Sequence, residues 1–345
     1  MIEGWRRFAA RSARRIKAVD SHTAGESTRV ILDGMPEPPA GAPAAEIRTW
    51  MQREADAWRR LLVCEPRGHR DLVGAWITPA PTSETDFGVV FMDARRYPFA
   101  CGTATVGAIT TMVELGLAEP RGDKGEIALD TPAGIVRARV QRDGDRVASV
   151  ELEMVSSCVV AEALSLDLGA LGRVVADVVY VGGCLALVSS EALPCALDPE
   201  HAADIVAFGE RVIAAGNDQH ALAHPISGDA TTVDGCVIFD PAADAARRGR
   251  GAVVYGAAHL DRSPCGTGTA AKMTRLYARG ELDLGERYEN RGILDTAFTG
   301  HLAETVSVGA TAGVRAHIRA SAQIVKMCEL VADPADPFPD GFLLP

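Results

Sequence analysis

Two short stretches of this 345-residue chain carry the side chains best suited to proton chemistry. One is Cys101-Gly102-Thr103-Ala104-Thr105, the other Cys265-Gly266-Thr267-Gly268-Thr269. Both read C-G-T-x-T, and Gly116 and Gly280 stand at the same distance downstream. A Cys followed by Gly and Thr ahead of a helical run places a sulfur at a helix N-terminus. The unpaired N–H groups there carry roughly half a positive charge. They draw a thiol pKa down from about 8.5 toward neutrality, and they can hold a carboxylate. One thiolate can then take a proton from one face of a carbon while a second thiol returns one to the opposite face. Inverting an α-carbon needs such a pair, because a single group tends to return the proton where it took it. Thiols suit the work, since their pKa can be brought near the operating pH. Cys101 and Cys265 are therefore the expected catalytic pair of a racemase or epimerase that needs no cofactor.

Other residues group around that pair. Gly102, Thr103, Gly266 and Thr267 can offer N–H groups and hydroxyls to a substrate carboxylate, in bonds that strengthen as negative charge builds. The threonines equally suit helix caps. Asp261, in Asp261-Arg262-Ser263-Pro264, is placed to meet a substrate ammonium. His22 and His69 sit in polar turns and His224 precedes Pro225. Each reads first as a surface or hydrogen-bonded histidine, with His224 kept as a candidate substrate-binding residue. No Ser/His/Asp or nucleotide-binding pattern follows the apolar strands.

The remaining cysteines, Cys64, Cys158, Cys184, Cys195, Cys236 and Cys328, stand among apolar or small residues and read as buried small hydrophobes. Their uneven spacing does not make a disulfide framework, and without C-x-x-C or a tight Cys/His cluster no metal site is expected. A reducing cytoplasm is the expected location.

The elements that must position these residues alternate between sheet and helix. Residues 16–33 read as two short strands around a turn, and residues 36–43 as a Pro/Ala-rich loop. Residues 45–62 space Ile47, Trp50, Met51, Ala55, Trp58, Leu61 and Leu62 as one exposed amphipathic helix. A continuous apolar strand over 88–92 feeds the first C-G-T, and the run 104–115 is apolar on nearly all sides, so that helix should be buried. Asp143-Gly144 joins two strands over 135–141 and 147–154 as a hairpin. A strand-rich run over 174–188, a helix over 202–215 and a strand over 252–255 lead to the second C-G-T. The helix after it sets Lys272, Arg275 and Arg279 against Met273, Leu276 and Tyr277, which predicts a wet face. Leu129-Asp130-Thr131 recurs as Leu294-Asp295-Thr296, a further sign of a duplicated α/β unit.

Length and composition fit two ordinary domains, with 47% apolar and 23% charged residues. The expected division is 1–157, joined by a C-terminal return over 328–345, and 158–327. A net charge of −11 argues against nucleic-acid partners, and no apolar run is long enough to span a bilayer. The start is basic, from Trp5 through Arg6, Arg7, Arg11, Arg14, Arg15 and Lys17, without the apolar centre of a secretory signal. A basic leader helix or an upstream start codon accounts for it better than an organelle-targeting segment. The tail over 333–339 is held extended by its prolines.

The chain resembles the proline racemase family. The resemblance rests on Asp20-Ser21-His22-Thr23-Ala24-Gly25-Glu26, Arg29-Val30, Glu65-Pro66-Arg67-Gly68-His69, the Phe91-Met92 approach to Cys101, and above all the block from Asp261 to Thr269. It covers residues 16–342. It implies the diaminopimelate epimerase-like fold: two pseudo-symmetric α/β domains, each a mostly antiparallel sheet wrapped around a central helix, with the active site in the cleft between them. It also implies that Cys101 and Cys265 are the catalytic thiols, that Asp261 meets the substrate's ring nitrogen or hydroxyl, and that Gly102, Thr103, Gly266 and Thr267 cradle its carboxylate. A homodimer acting on a small amino acid, with no membrane partner, is expected.

Two positions sort the subfamilies. Dehydratases of trans-3-hydroxy-L-proline resemble the chain but carry Thr at the second thiol, where this chain has Cys265. Epimerases and racemases usually carry His where this chain has Thr103. The resemblance thus implies 4-hydroxyproline 2-epimerase activity, with proline racemase, or a racemase of another α-amino acid, as the nearest alternative. A non-catalytic thiol or redox protein on the same fold is the alternative from a different class.

Overall fold

The computed structural model describes residues 2–9, 12, 14–256, 258–333 and 335–344. Arg11 and Pro334, read above into the basic leader and the proline-rich tail, lie outside the described residues. The chain forms two compact units, Met1–Val150 with Ser321–Pro345, and Glu151–Ala320.

The first unit opens on a helix, α1 (Ile2–Ala9), as the basic leader predicts. It continues through β1 (Arg14–Thr23), β2 (Glu26–Asp33), α2 (Ala44–Glu54), α3 (Asp56–Val63), β3 (Val73–Thr78), β4 (Phe87–Met92), α4 (Gly102–Glu114), β5 (Glu126–Thr131) and β6 (Gly134–Asp143). The strand β7 (Arg146–Glu153) then leads out of it. β1 pairs antiparallel with β2, β2 parallel with β3, β3 antiparallel with β4, β4 parallel with β5, and β5 antiparallel with β6. The returning strand Ala322–Ala332 pairs antiparallel with β1.

The helix α4 packs against β1, β2, β3 and that returning strand. Every residue from Thr103 to Val113 is buried, which is why the sequence of this helix shows no polar stripe. Gly107 lets it sit close, since a Cβ there would stand 2.9 Å from Ser21 Oγ. The single exposed helix expected over 45–62 is instead two helices, broken at Ala55 (φ −139°). Their apolar stripe is not exposed either. Ile47, Met51, Leu61 and Leu62 join Trp76 and Met92 in a core, because the stripe has a sheet to cover.

The second unit runs through β8 (Cys158–Asp167), β9 (Arg173–Tyr180), β10 (Cys184–Ser189), α5 (Ala202–Gln219), β11 (Leu222–Ala223), β12 (Ala230–Thr231), β13 (Val233–Phe239), α6 (Pro241–Ala245), β14 (Arg248–Tyr255), β15 (His259–Leu260), α7 (Gly266–Ala278), β16 (Tyr288–Arg291), β17 (Ala297–Val308) and β18 (Thr311–Ala320). β9 pairs antiparallel with β10, β10 parallel with β13, β13 antiparallel with β14, β14 parallel with β16, and β16 antiparallel with β17. This repeats, pair for pair, the ladder order of β1 to β6. The helix α7 stands where α4 stands in the first unit, packed against β8, β9, β10, β17 and β18. The duplication suspected from the C-G-T stretches is therefore one of topology.

Two sequence expectations change here. The second Leu-Asp-Thr is not a strand end like Leu129-Asp130-Thr131 in β5; it is the turn between β16 and β17, with Asp295 at φ 59°. The wet face expected for α7 is largely docked. Lys272 is 1% exposed and pairs with Asp244 at 2.8 Å, while Arg275 and Arg279 reach Asp177 Oδ2 at 2.6 and 2.7 Å. Carboxylates on β9 and α6 supply what solvent was expected to supply.

Candidate active site

Both C-G-T cysteines are N-caps. Cys101 precedes α4 in an extended conformation (φ −151°, ψ 108°). Its carbonyl accepts from Thr105 N at 2.9 Å and from Thr105 Oγ1 at 2.8 Å, and its Sγ lies 3.4 Å from Thr103 Oγ1. The Thr103 carbonyl accepts from Thr23 Oγ1 of β1 at 2.9 Å, so the first turn of α4 is tied to the sheet beneath it. The segment between β4 and Cys101 is tied from α2 and α3. Arg48 Nε donates to Tyr97 O at 2.7 Å and Arg59 donates to Asp93 O at 3.0 Å.

The second cysteine is held more tightly. Cys265 has φ 64° and ψ 122°, a backbone region that L side chains rarely occupy. Its Sγ accepts from Gly268 N at 3.2 Å, and it lies 3.0 Å from Tyr255 OH and 3.3 Å from Thr267 Oγ1. Tyr255 OH and Thr267 Oγ1 are themselves 2.7 Å apart. Gly268 is required, because a Cβ there would meet Val253 Cγ2 at 2.7 Å and the Cys265 sulfur at 3.4 Å.

The loop before it is fixed from several sides. Asp261 Oδ1 accepts from Ser263 N at 2.8 Å and Ser263 Oγ at 2.7 Å, and Ser263 Oγ accepts from Cys265 N at 3.0 Å. From β16, Asn290 Nδ2 donates to Pro264 O at 3.0 Å and to Thr269 Oγ1 at 2.8 Å. Asn290 Oδ1 in turn accepts from the buried Lys272 ammonium at 2.9 Å.

The electrostatics of Cys265 run against the sequence expectation of a depressed thiol. Burial, with the Asp261 charge added, pushes it up to about 12. Bonds from Thr267, Tyr255 and Gly268 N–H pull the other way without winning. The helix N-terminus does contribute its N–H, but a 2% exposed sulfur beside a carboxylate keeps its proton.

Cys101, Gly102 and Thr103 thus share the start of α4, and Asp261, Cys265, Gly266 and Thr267 share the start of α7. His224 lies in the β11–β12 turn. Its Nδ1 accepts from Ile226 N at 3.3 Å and Ser227 N at 3.2 Å, and its ring meets Tyr180 edge-on at 5.0 Å. These bonds hold the ring against its own turn. Tyr255, Ser263 and Asn290 were not found from sequence; the one available signal was a polar aromatic closing the strand ahead of the motif. Among the described residues no cysteine is in a disulfide, and no group of three or more His, Cys, Asp or Glu is placed to hold a metal. No helix of the described residues is long and apolar enough to cross a membrane.

Matched against protein families, residues 18–343 fit the family described as proline racemase. The chain belongs to the proline racemase family. The proline racemase of Clostridioides difficile is 32% identical over 332 residues, 96% of this chain and 99% of its own length. A 4-hydroxyproline 2-epimerase of Streptosporangium roseum is 35% identical over 336 residues, 97% of this chain and all of its own. The crystal structure of a hydroxyproline epimerase from Agrobacterium vitis, with trans-4-hydroxy-L-proline bound, superposes with a TM-score of 0.85 at 26% identity, covering 97% of each chain. Proline racemase family membership makes the chain an isomerase, on the mixed α/β fold of those structures.

Proposed function

We propose that the chain is a cofactor-independent two-thiol epimerase inverting the α-carbon of 4-hydroxyproline, between trans-4-hydroxy-L-proline and cis-4-hydroxy-D-proline. The observation that carries this reading is the placement of Cys101 and Cys265 as N-caps of α4 and α7, two helices in the same place of one repeated ladder order. One thiolate removes the α-proton and the opposite thiol delivers its own to the other face of the carbanion. The high proton affinity of Cys265 suits it to start as the donor, with Cys101 as the base. In the reverse direction the two exchange roles. The N–H groups of Gly102, Thr103, Gly266 and Thr267 take the carboxylate as it gains charge. Asp261 takes the ring ammonium or hydroxyl.

Proline racemisation is the second reading, because Thr103 replaces the histidine that epimerases and racemases alike usually carry and so leaves the substrate open. A hydroxyl that lies 3.4 Å from Cys101 Sγ reaches less far toward a ring substituent than an imidazole would. The test is incubation in D₂O, without added cofactor, with trans-4-hydroxy-L-proline, L-proline and trans-3-hydroxy-L-proline, followed by NMR and chiral chromatography. α-Deuteration with the C2 epimer formed fastest from trans-4-hydroxy-L-proline supports the first reading. Faster turnover of L-proline replaces it with the second, and loss of water from the 3-hydroxy substrate would contradict both.

A further inference from the structure

The tyrosine hydroxyl at Cys265 has no role in the chemistry assigned so far. Tyr255 closes β14, and its OH stands between Cys265 Sγ at 3.0 Å and Thr267 Oγ1 at 2.7 Å. The same sulfur accepts from Gly268 N at 3.2 Å. A thiolate can only accept, so each of these hydroxyls must point its hydrogen at the sulfur, or at the other hydroxyl, once the proton leaves. We propose, building on the two-thiol reading above, that Tyr255 is a positioning residue: its hydroxyl donates to the ionised Cys265 sulfur and fixes how readily that sulfur releases its proton.

The direction follows from what faces the sulfur. The titratable groups that act most on Cys265 are Asp261 from the loop after β15 and Tyr255 from β14; His259 of β15 meets the Tyr255 ring edge-on at 6.2 Å. Asp261 and burial both disfavour the thiolate. The donors that offset them are Tyr255, Thr267 and the Gly268 amide. Burial and its acidic neighbours also hold the Tyr255 phenol well above its ordinary range, so it keeps its proton and remains a donor throughout. Proton exchange on this face therefore runs through the Cys265 sulfur, and the tyrosine exchanges none.

Tyr255→Phe keeps the ring and removes the bond. A hydrogen bond to a charged group of this kind corresponds to a shift of about one pH unit. Alkylation by iodoacetamide, followed at the Cys265 peptide by mass spectrometry from pH 7 to 10, reads the thiolate without needing substrate. The expected result is alkylation slowed about threefold or more at each pH, because the rise in thiol pKa is partly offset by a more nucleophilic thiolate. With cis-4-hydroxy-D-proline as substrate, where Cys265 is the base, the acid limb of kcat/KM should also move about one unit toward alkaline pH. If Tyr255→Phe does not fold, as judged by circular dichroism, Thr267→Val removes the other hydroxyl at the sulfur and should slow alkylation in the same direction. Unchanged or faster alkylation in a folded variant, with an unmoved pH profile, would overturn the proposal. Slowed alkylation in a protein whose parent never exchanges an α-proton would uphold the role of Tyr255 and sink the two-thiol reading alone.

Discussion

Lys272 Nζ lies 2.8 Å from Asp244 Oδ1, and both side chains are almost fully buried. Tyr288 OH donates to the same Asp244 oxygen at 2.6 Å, and Lys272 also donates to Asn290, the residue that holds the carbonyl of Pro264. The ion pair is thus the far end of a chain of bonds leading to Cys265. Replacing Lys272 by Met leaves the carboxylate buried without its cation. The expected cost is about 3–5 kcal/mol, far more than an exposed pair would lose, and urea unfolding measures it.

The backbone at Cys265 stores strain. A φ of 64° with ψ 122° is costly for any residue with a Cβ, by about 1–3 kcal/mol. Comparing two variants that both lack the thiol isolates that cost from its loss. Cys265→Gly is expected to be more stable than Cys265→Ala by roughly that amount, read from thermal or urea unfolding. Equal stabilities would show the conformation to be unstrained.

Gly292 sets the position of the same loop. A Cβ there would meet the backbone carbon and oxygen of Ser263 at 2.7 Å and Pro264 N at 2.8 Å. Backbone cannot swing aside as a side-chain tip can, so Gly292→Ala should displace the segment from Asp261 to Cys265. A misplacement approaching 1 Å lowers kcat/KM by about a hundredfold, which steady-state kinetics on the preferred substrate would show.

Asp177 gives a pH dependence whose sign is fixed. Burial works to raise its pKa, but the Ala163 N–H and the guanidinium groups of Arg275 and Arg279 outweigh burial and hold the carboxyl below its ordinary value. A depressed carboxyl contributes its stability in full above the unfolded-state pKa of about 3.9 and loses it as pH falls through the lower folded value. Between pH 5 and 3 the parent protein should therefore lose more unfolding free energy than Asp177→Asn. Parallel curves for the two would contradict the assignment.

What the sequence made legible follows from whether the deciding partner lay nearby in the chain. The helix α4 was readable because its burial on all sides leaves no polar stripe, a property of consecutive residues. The two N-cap cysteines were readable because Gly and Thr follow them directly. Lys272 was misread as solvent-facing because its partner Asp244 lies on another element, α6, which the sequence does not place beside α7. The lowered thiol pKa expected for Cys265 counted the helix N-terminus and missed the burial and the Asp261 charge that outweigh it. Tyr255 was passed over because strand residues close to a motif in sequence give no sign of which side chains turn back to it. The amphipathic run over 45–62 showed its apolar face but not the break at Ala55.

The direct test of the central claim uses the two thiols together. Parent, Cys101→Ser, Cys265→Ser and the double serine variant are incubated with trans-4-hydroxy-L-proline and with L-proline in D₂O. The C2 epimer is quantified by chiral chromatography and the α-proton by NMR. Epimer is expected from the parent alone, with each single variant losing it and the double variant leaving the α-proton in place. Epimer formed by the double serine variant would show that neither sulfur is the base.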